Sequence, residues 1–436
     1  MSTESVTATI DVSEAGALAL DAADPLARFR ERFHLPPGRI YLDGNSLGLL
    51  SRDAEAETLR ALEQWKTLGI DGWLGADPPW FTLGEELGAL TAPLVGAEPE
   101  AVVVTGSTTV NQHALTATFY RPHEARRKIV ATALDFPSDV YALQSLIRLH
   151  GGDPGHDLVL IPSRDGRTVA EDDVVAALLT DDVALALLPA VLYRSGQLLD
   201  IPLLAAEAQA RGIPLGFDCA HSIGAVPHRF DEWGVDWAFW CSYKYLNAGP
   251  GATGGLYVNR RHWGTTPGLA GWWGYDKSQQ FDMVHAWHGA AAAGAWQIST
   301  PPLLATAPLR GSLRLFHEVG IASLRAKSLA QTDYLARLLE ETGLTAPPYN
   351  FAVGTPRQPE RRGGHLAVEH DEAPRIARAL KARGIVPDFR APNVIRLAPA
   401  PLHTTFHELW QTVETLREIV DTGEHLRLTE GRELVA

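Results

Sequence analysis

Val183-Ala184-Leu185-Ala186-Leu187 and Ile213-Pro214-Leu215-Gly216-Phe217 are two apolar runs separated by a stretch of helical length and pattern. Each run is continuous rather than alternating, as expected of strands covered on both faces. A strand, a crossover helix and a second strand make a parallel pair. Towards the N-terminus, Ala101-Val102-Val103-Val104, Lys128-Ile129-Val130 and Asp157-Leu158-Val159-Leu160 repeat the theme, each leading into a plausible helix. The fold expected is α/β, with a mostly parallel, doubly covered sheet. Ligands in such sheets sit beyond the carboxyl ends of the strands, so functional residues should follow them.

Beyond Arg310 the pattern changes. A long helical stretch runs to about Glu341, followed by a Pro/Gly/Arg-rich loop from Ala346 to Gly364. His365-Leu366-Ala367-Val368 and Asn393-Val394-Ile395-Arg396-Leu397 read as strands, and Thr404 to about Val420 reads as a terminal helix capped by Thr404 or Thr405. This is the pattern of a smaller α+β domain appended to the larger one. Residues Met1 to about Ala23 lack a basic start and an uninterrupted apolar core, so they read as a loose arm rather than a signal peptide.

Composition narrows the function. The 436 residues are 45% hydrophobic and 21% charged, ordinary globular values. A formal charge of -14 argues against nucleic acid or an anionic membrane surface as partner, since either needs a basic face. No window is long and apolar enough to span a bilayer. The two cysteines, Cys219 and Cys241, form no CxxC pair, so neither a disulfide framework nor a zinc signature is present and no metal is expected; a reducing cytoplasm fits best.

Four segments carry candidate chemistry. Phe217-Asp218-Cys219-Ala220-His221 ends a strand in a carboxylate, and Cys241-Ser242-Tyr243-Lys244 follows a further strand with an amine. A buried ion pair with a helix-capping aspartate would explain both. So would a pyridoxal-phosphate (PLP) site, where a lysine forms a Schiff base and an acid keeps the pyridine nitrogen protonated. Gly106-Ser107-Thr108-Thr109 opens a helix after a strand, which suits a phosphate and equally suits simple capping. Asp135-Phe136-Pro137-Ser138-Asp139 offers a ring that stacks on a cofactor or plugs the core. The glycines of 249–255 give room for close backbone approach or merely let the chain turn back into a strand ending at Val258, and Trp272-Trp273 suits packing or an interface.

Taken in order, Tyr41-Leu42-Asp43-Gly44-Asn45-Ser46-Leu47-Gly48, Phe136-Pro137-Ser138-Asp139, Phe217-Asp218-Cys219-Ala220-His221 and Trp240-Cys241-Ser242-Tyr243-Lys244-Tyr245-Leu246-Asn247 resemble the kynureninase family. The resemblance continues through Gly271-Trp272-Trp273-Gly274, Gln297-Ile298-Ser299-Thr300-Pro301-Pro302 and Ile395-Arg396-Leu397-Ala398-Pro399, and so covers most of the chain. It implies a fold-type I PLP enzyme, a cytoplasmic homodimer with shared active sites. It implies hydrolysis of kynurenine, or a ring-substituted kynurenine, to anthranilate and alanine, in tryptophan catabolism and NAD biosynthesis. On this resemblance Lys244 is the Schiff-base lysine, Asp218 the pyridine partner and Phe136 the stacking ring. Ser138, Asp139 and His221 make further cofactor contacts, and Thr108, Thr109 and Tyr243 hold the phosphate. Trp272 and Thr300 reach the cofactor from the neighbouring subunit. Arg396 binds the substrate carboxylate, and Asn45, Ser46 and Trp73 border the substrate. Tyr243 is also a candidate acid/base for water addition.

The implied division is an N-terminal segment, 1–75, packing with the small domain, a PLP-binding domain, 76–310, and a small domain, 311–436. Trp73 and Thr300 suggest a preference for the unsubstituted ring. Pro189 and Tyr275 depart from the family pattern. An aminotransferase, a cysteine desulfurase and a non-catalytic PLP-binding homologue are the competing readings; a desulfurase needs a thiol on a mobile loop, and the C-terminal loops hold none.

Overall fold

A computed structural model describes residues 11–123 and 125–428. The strands are β1 (Ile40–Tyr41), β2 (Val102–Val104), β3 (Lys128–Thr132), β4 (Leu158–Ile161), β5 (Val183–Pro189), β6 (Leu215–Asp218), β7 (Trp237–Trp240) and β8 (Gly255–Val258). They are followed by β9 (Ala352–Val353), β10 (Leu366–Glu369), β11 (Ile385–Val386), β12 (Asp388–Arg390) and β13 (Val394–Leu397). Among the described residues the larger sheet has the order β2-β8-β7-β6-β5-β3-β4. All its pairings are parallel except the two made by β8. β5, β6 and β7 are buried along their whole length, as their unbroken apolar sequences require.

Because β8 alone runs against the rest, β2, β3, β5, β6 and β7 all end on the same edge. The segments leaving them, Gly106–Thr109, Asp135–Asp139, Pro189 onward, Asp218–His221 and Cys241–Lys244, therefore converge there.

The smaller sheet, β12-β13-β10-β9, is antiparallel. Helices Ile321–Glu341, Ala373–Ala382 and Phe406–Asp421 share its core through Leu335, Leu380, Ile376, Leu409 and Val413. The terminal helix is held by a full capping box: Thr405 Oγ1 accepts from Glu408 N at 3.1 Å and Glu408 Oε2 accepts from Thr405 N at 2.9 Å. Among the described residues no helix is long and apolar enough to cross a membrane.

Three expectations need correction. The helical stretch read as one from Arg310 to Glu341 is two helices, Leu303–Val319 and Ile321–Glu341. Gly320 (φ 79°) separates them, a conformation that ends a helix and suits glycine. The arm read as loose to Ala23 contains a helix, Glu14–Ala22, whose Ser13 cap accepts from Gly16 N. This helix docks on the terminal one: Asp21 accepts from Phe406 N at 2.6 Å and from His407 N at 3.0 Å, using amides a helix N-terminus leaves open. Residues 1–10 of that arm lie outside the described residues. The loop expected over 346–364 also carries the short strand β9 and a 3-10 turn, Pro359–Arg361.

The N-terminal segment then crosses between the sheets. β1 pairs in parallel with β11, Asp43 bridges to Ala398, and Gly48 N donates to Tyr243 O at 2.8 Å. It thereby ties the small sheet to the lysine-bearing loop.

Candidate active site

A cavity of about 460 Å³ opens at the shared strand edge. Its walls bring together Thr108, Thr109, Phe136, Ser138, Asp139, Asp218, His221, Tyr243 and Lys244 from the large domain, Asn45 and Ser46 from the N-terminal segment, and Arg396 from β13. Twelve of the residues singled out in the sequence thus share one cavity. Ser107, Ala220 and Arg390 join them without having been singled out as site residues.

The helix Thr108–Phe119 begins at the cavity, and Ser107 at its N-cap makes no side-chain capping bond. Capping alone does not account for these hydroxyls. The chain approaches closely here: a Cβ on Gly254 would lie 2.8 Å from Trp240 O and 3.3 Å from Ser107 C. The glycine loop at 249–251 does not line the cavity; Gly249 and Gly251 have φ of 90° and 68°, as the turning role requires.

Asp218 ends β6, pairing with Phe239 on one side and Pro189 on the other. Its Oδ1 accepts from Ala220 N at 2.8 Å. Asp139, in the first turn of helix Pro137–Leu149, is hydrogen-bonded to it through the side chains. Burial pushes both acids above the usual carboxylate range, and the Lys244 charge together with the Ala220 amide pulls Asp218 back. Asp139 rises well above that range, so it keeps the proton and donates it to Asp218. Two buried acids sharing a proton form a site that favours a cation beside Asp218.

Lys244 Nζ lies 2.9 Å from His221 Nε2. Burial and the neighbouring Lys244 and Arg396 charges hold His221 neutral. Tyr243 is kept protonated chiefly by burial, with its hydroxyl in contact with Cys241 and Thr108. Phe136 is 43% exposed at the cavity mouth and meets Tyr193 edge-on at 5.3 Å. It therefore does not plug the core.

Arg396 is buried on β13. It donates to Tyr193 O at 2.7 Å and Ser46 Oγ at 3.0 Å, and pairs with Asp388. Asn45 is fully buried, and neither side-chain polar atom has a hydrogen-bond partner, an arrangement that leaves an amide available to a bound molecule.

Trp73, Trp272 and Thr300 do not line this cavity. Trp73 packs on Trp80 and Trp273 with centroids at 5.8 and 5.3 Å, and with Thr300 it borders a second, apolar cavity of about 700 Å³. Trp272 is 48% exposed. Tyr275 is buried, edge-on to Trp287 and His288, away from the site. Cys219 and Cys241 are both buried, and burial pushes both thiols upward, against thiolate chemistry.

The fold is that of the type I PLP-dependent enzymes. It superposes on an apo cysteine desulfurase from Thermococcus onnurineus NA1 with a TM-score of 0.77, at 17% identity over 92% of this chain and 98% of that one. A C-DES mutant with glycine covalently linked to the PLP cofactor gives 0.75, at 18% identity over 89% and 98%. A family model of the kynureninase C-terminal domain matches residues 324–416. The chain is 54% identical over 417 residues to the kynureninase of Geobacillus thermodenitrificans (strain NG80-2), covering 96% of each. It is 55% identical over 420 residues to that of Bacillus thuringiensis subsp. konkukian (strain 97-27), covering 96% of this chain and 97% of that one. The chain belongs to the kynureninase family.

Proposed function

We propose that this protein hydrolyses the Cβ–Cγ bond of L-kynurenine, releasing anthranilate and L-alanine, with PLP as its cofactor. The observation that carries the reading is the convergence of Lys244, Asp218 and Arg396 on one cavity in a chain of this family. The residues fit the cofactor. Lys244 supplies the amine, the Asp218–Asp139 pair suits a pyridinium, Phe136 offers a ring face, and Thr108, Thr109 and Tyr243 offer hydroxyls at a helix N-terminus for the phosphate. Ser138 and His221 complete the enclosure.

The chemistry that bound PLP supplies is an electron sink for negative charge at the substrate Cα and Cβ. The chain's own groups do the rest. Asp218 would keep the pyridine nitrogen of a bound cofactor protonated. Arg396, oriented by Ser46 and the Tyr193 carbonyl, takes the substrate carboxylate. Lys244 would take the Cα proton, with neutral His221 at 2.9 Å steadying its amine. Tyr243, held protonated, donates a proton as water adds to the γ-carbonyl, or a hydrogen bond to the phosphate. Asn45, whose amide has no partner in the cavity wall, borders the aromatic end of the substrate.

The working unit is a cytoplasmic homodimer, with Trp272 and Thr300 serving the partner's site. Trp65, Ile70, Leu74, Trp272, Phe281 and Met283 leave an apolar surface of the kind a subunit covers, and this supports the reading. The division proposed is a cofactor-bearing domain at 76–310, a small domain at 311–436 and a segment at 1–75 that packs with it, with residues 1–10 and 429–436 outside the described residues. Assay of anthranilate and alanine from kynurenine and 3-hydroxykynurenine is the test. An oxo acid without anthranilate identifies an aminotransferase, and bound cofactor without any product identifies a non-catalytic homologue.

A further inference from the structure

Trp272 and Thr300 stand on two segments that pack backbone against backbone. A Cβ on Gly271 would lie 2.7 Å from Ile298 Cα, and one on Gly274 would lie 2.9 Å from Gln297 O, closer than a side chain permits. The 271–274 and 295–298 segments therefore move as one body. That body meets the helix Leu83–Val95 at Glu85. Glu85 Oε1 accepts from Gln297 Nε2 at 2.7 Å and from Lys277 Nζ, so a single oxygen ties both segments to the helix. Lys277, which follows the first segment, also donates to Trp273 O at 3.4 Å. The helix in turn is seated on β2: a Cβ on Gly84 would lie 2.8 Å from Val104 O, and one on Gly88 2.9 Å from Val103 Cα.

The carboxylate matters because of what it neutralises. Lys277 has 17% of its side chain exposed, and its ammonium lies 5.6 Å from the ring centroids of both Phe81 and Trp273. Ring faces offset only part of the cost of burying a charge, and a paired carboxylate offsets the rest. Without Glu85 the lysine turns to water and the segment carrying Trp272 shifts with it. Gln297, 1% exposed, would keep only a 3.3 Å bond to Gly294 O for its amide. None of Glu85, Lys277 and Gln297 lines the cavity of its own chain.

We propose that Glu85 is a positioning residue for the partner subunit's site: it holds Trp272 and Thr300, as one unit, in the place from which both reach the neighbouring cofactor. The proposal rests on the reading that Trp272 and Thr300 serve the partner's site. An effect within the same subunit would instead travel through β2 to Ser107–Thr109.

The test uses holoenzyme and subunit exchange. Glu85→Ala, at a helix position that alanine suits, should lower kcat about tenfold in the homodimer and raise Kd for PLP, followed by cofactor absorbance, by about the same factor. Mixing it with Lys244→Ala shows where the loss falls. The one site that keeps a lysine then takes Trp272 and Thr300 from a chain with Glu85 intact, and activity per heterodimer should rise towards half the parent value. A chain carrying both substitutions, mixed with parent, should instead give about a twentieth of the parent value. An effect confined to the variant's own subunit, or a merely structural one, gives the opposite pair of results, and that pair overturns the proposal. So does a fully active Glu85→Ala homodimer. Mixing Trp272→Ala with Lys244→Ala separates the two levels. Recovery there without recovery for Glu85→Ala removes only the present inference, whereas verified exchange without recovery in either removes the shared-site reading and the proposal with it. If Glu85→Ala does not assemble, Lys277→Met takes its place in the same mixtures: the same pattern supports the proposal, and full activity of its homodimer overturns it.

Discussion

Gly48 lies in the N-terminal segment, yet it should control the position of Lys244. A Cβ at this position would enter the van der Waals envelopes of Lys244 O and Asn247 Oδ1 and would stand 2.8 Å from Asn247 Cα. Two of these three atoms are backbone, so no rotamer change relieves the clash. Ordinary carbon separations are about 3.5–4.0 Å, so the 244–247 turn must retreat by roughly 0.7 Å or more. That turn is internally braced, with Asn247 N on Lys244 O at 3.0 Å, Asn247 Nδ2 on Tyr245 O at 3.0 Å, and Asn247 at φ 54°. It therefore moves as a unit and takes Lys244 with it. Overpacking of this kind costs about 1–3 kcal/mol, and a shift approaching 1 Å at a reacting group costs up to about a hundredfold in rate.

Gly48→Ala is therefore expected to bind PLP but to lose about ten- to a hundredfold in kcat, with a shortened half-life on heating. Cofactor absorbance, anthranilate release and thermal inactivation measure the three. Gly75→Ala is the control, because nothing lies within 4 Å of its Cβ position. If Gly48→Ala matches the parent in kcat and half-life while Gly75→Ala does too, the contact between the N-terminal segment and the lysine loop does not position Lys244.

Lys244→Ala should abolish turnover and the borohydride-trapped link to PLP; peptide mapping of the parent that finds the label on another lysine removes the assignment. Asp218→Asn should keep some cofactor and lose at least about 1.5–3 kcal/mol of stabilisation, roughly ten- to a hundredfold in kcat, and near-normal kcat would refute its role. Mixing Lys244→Ala with Trp272→Ala subunits should create one intact site per heterodimer and restore activity towards half the parent value. Exchange verified by mass without recovery would place Trp272 in its own subunit's chemistry.

What the sequence shows of this fold follows from burial. β5 and β6 are legible because strands covered on both faces must be apolar throughout, and Val183–Leu187 and Leu215–Phe217 leave no polar residue to confuse the reading. The helix Glu14–Ala22 is not legible in the same way. It is stabilised by what it touches, the open amides of Phe406 and His407, and a contact between Asp21 and residues almost four hundred positions away leaves no local pattern. The paired strands β1 and β11 are too short, at two residues each, to show any period.

The site divides along the same line. Lys244 and Asp218 can be found because each follows a recognisable strand and because their chemistry is complementary. Arg390 cannot be found that way: Asp388-Phe389-Arg390, between Pro387 and Ala391-Pro392, has the composition of a solvated loop, and charged residues in such a run normally face water. Yet a usable signal was present. Asn393–Leu397 reads as a strand, and a short turn at 391–393 leads back to it, so a hairpin fixes its partner. In that hairpin Arg390 meets Val394 and Asp388 meets Arg396, which is the register observed. The hairpin thus sets Asp388 opposite Arg396, the arginine proposed to take the substrate carboxylate, and the pairing can be derived before any coordinates exist.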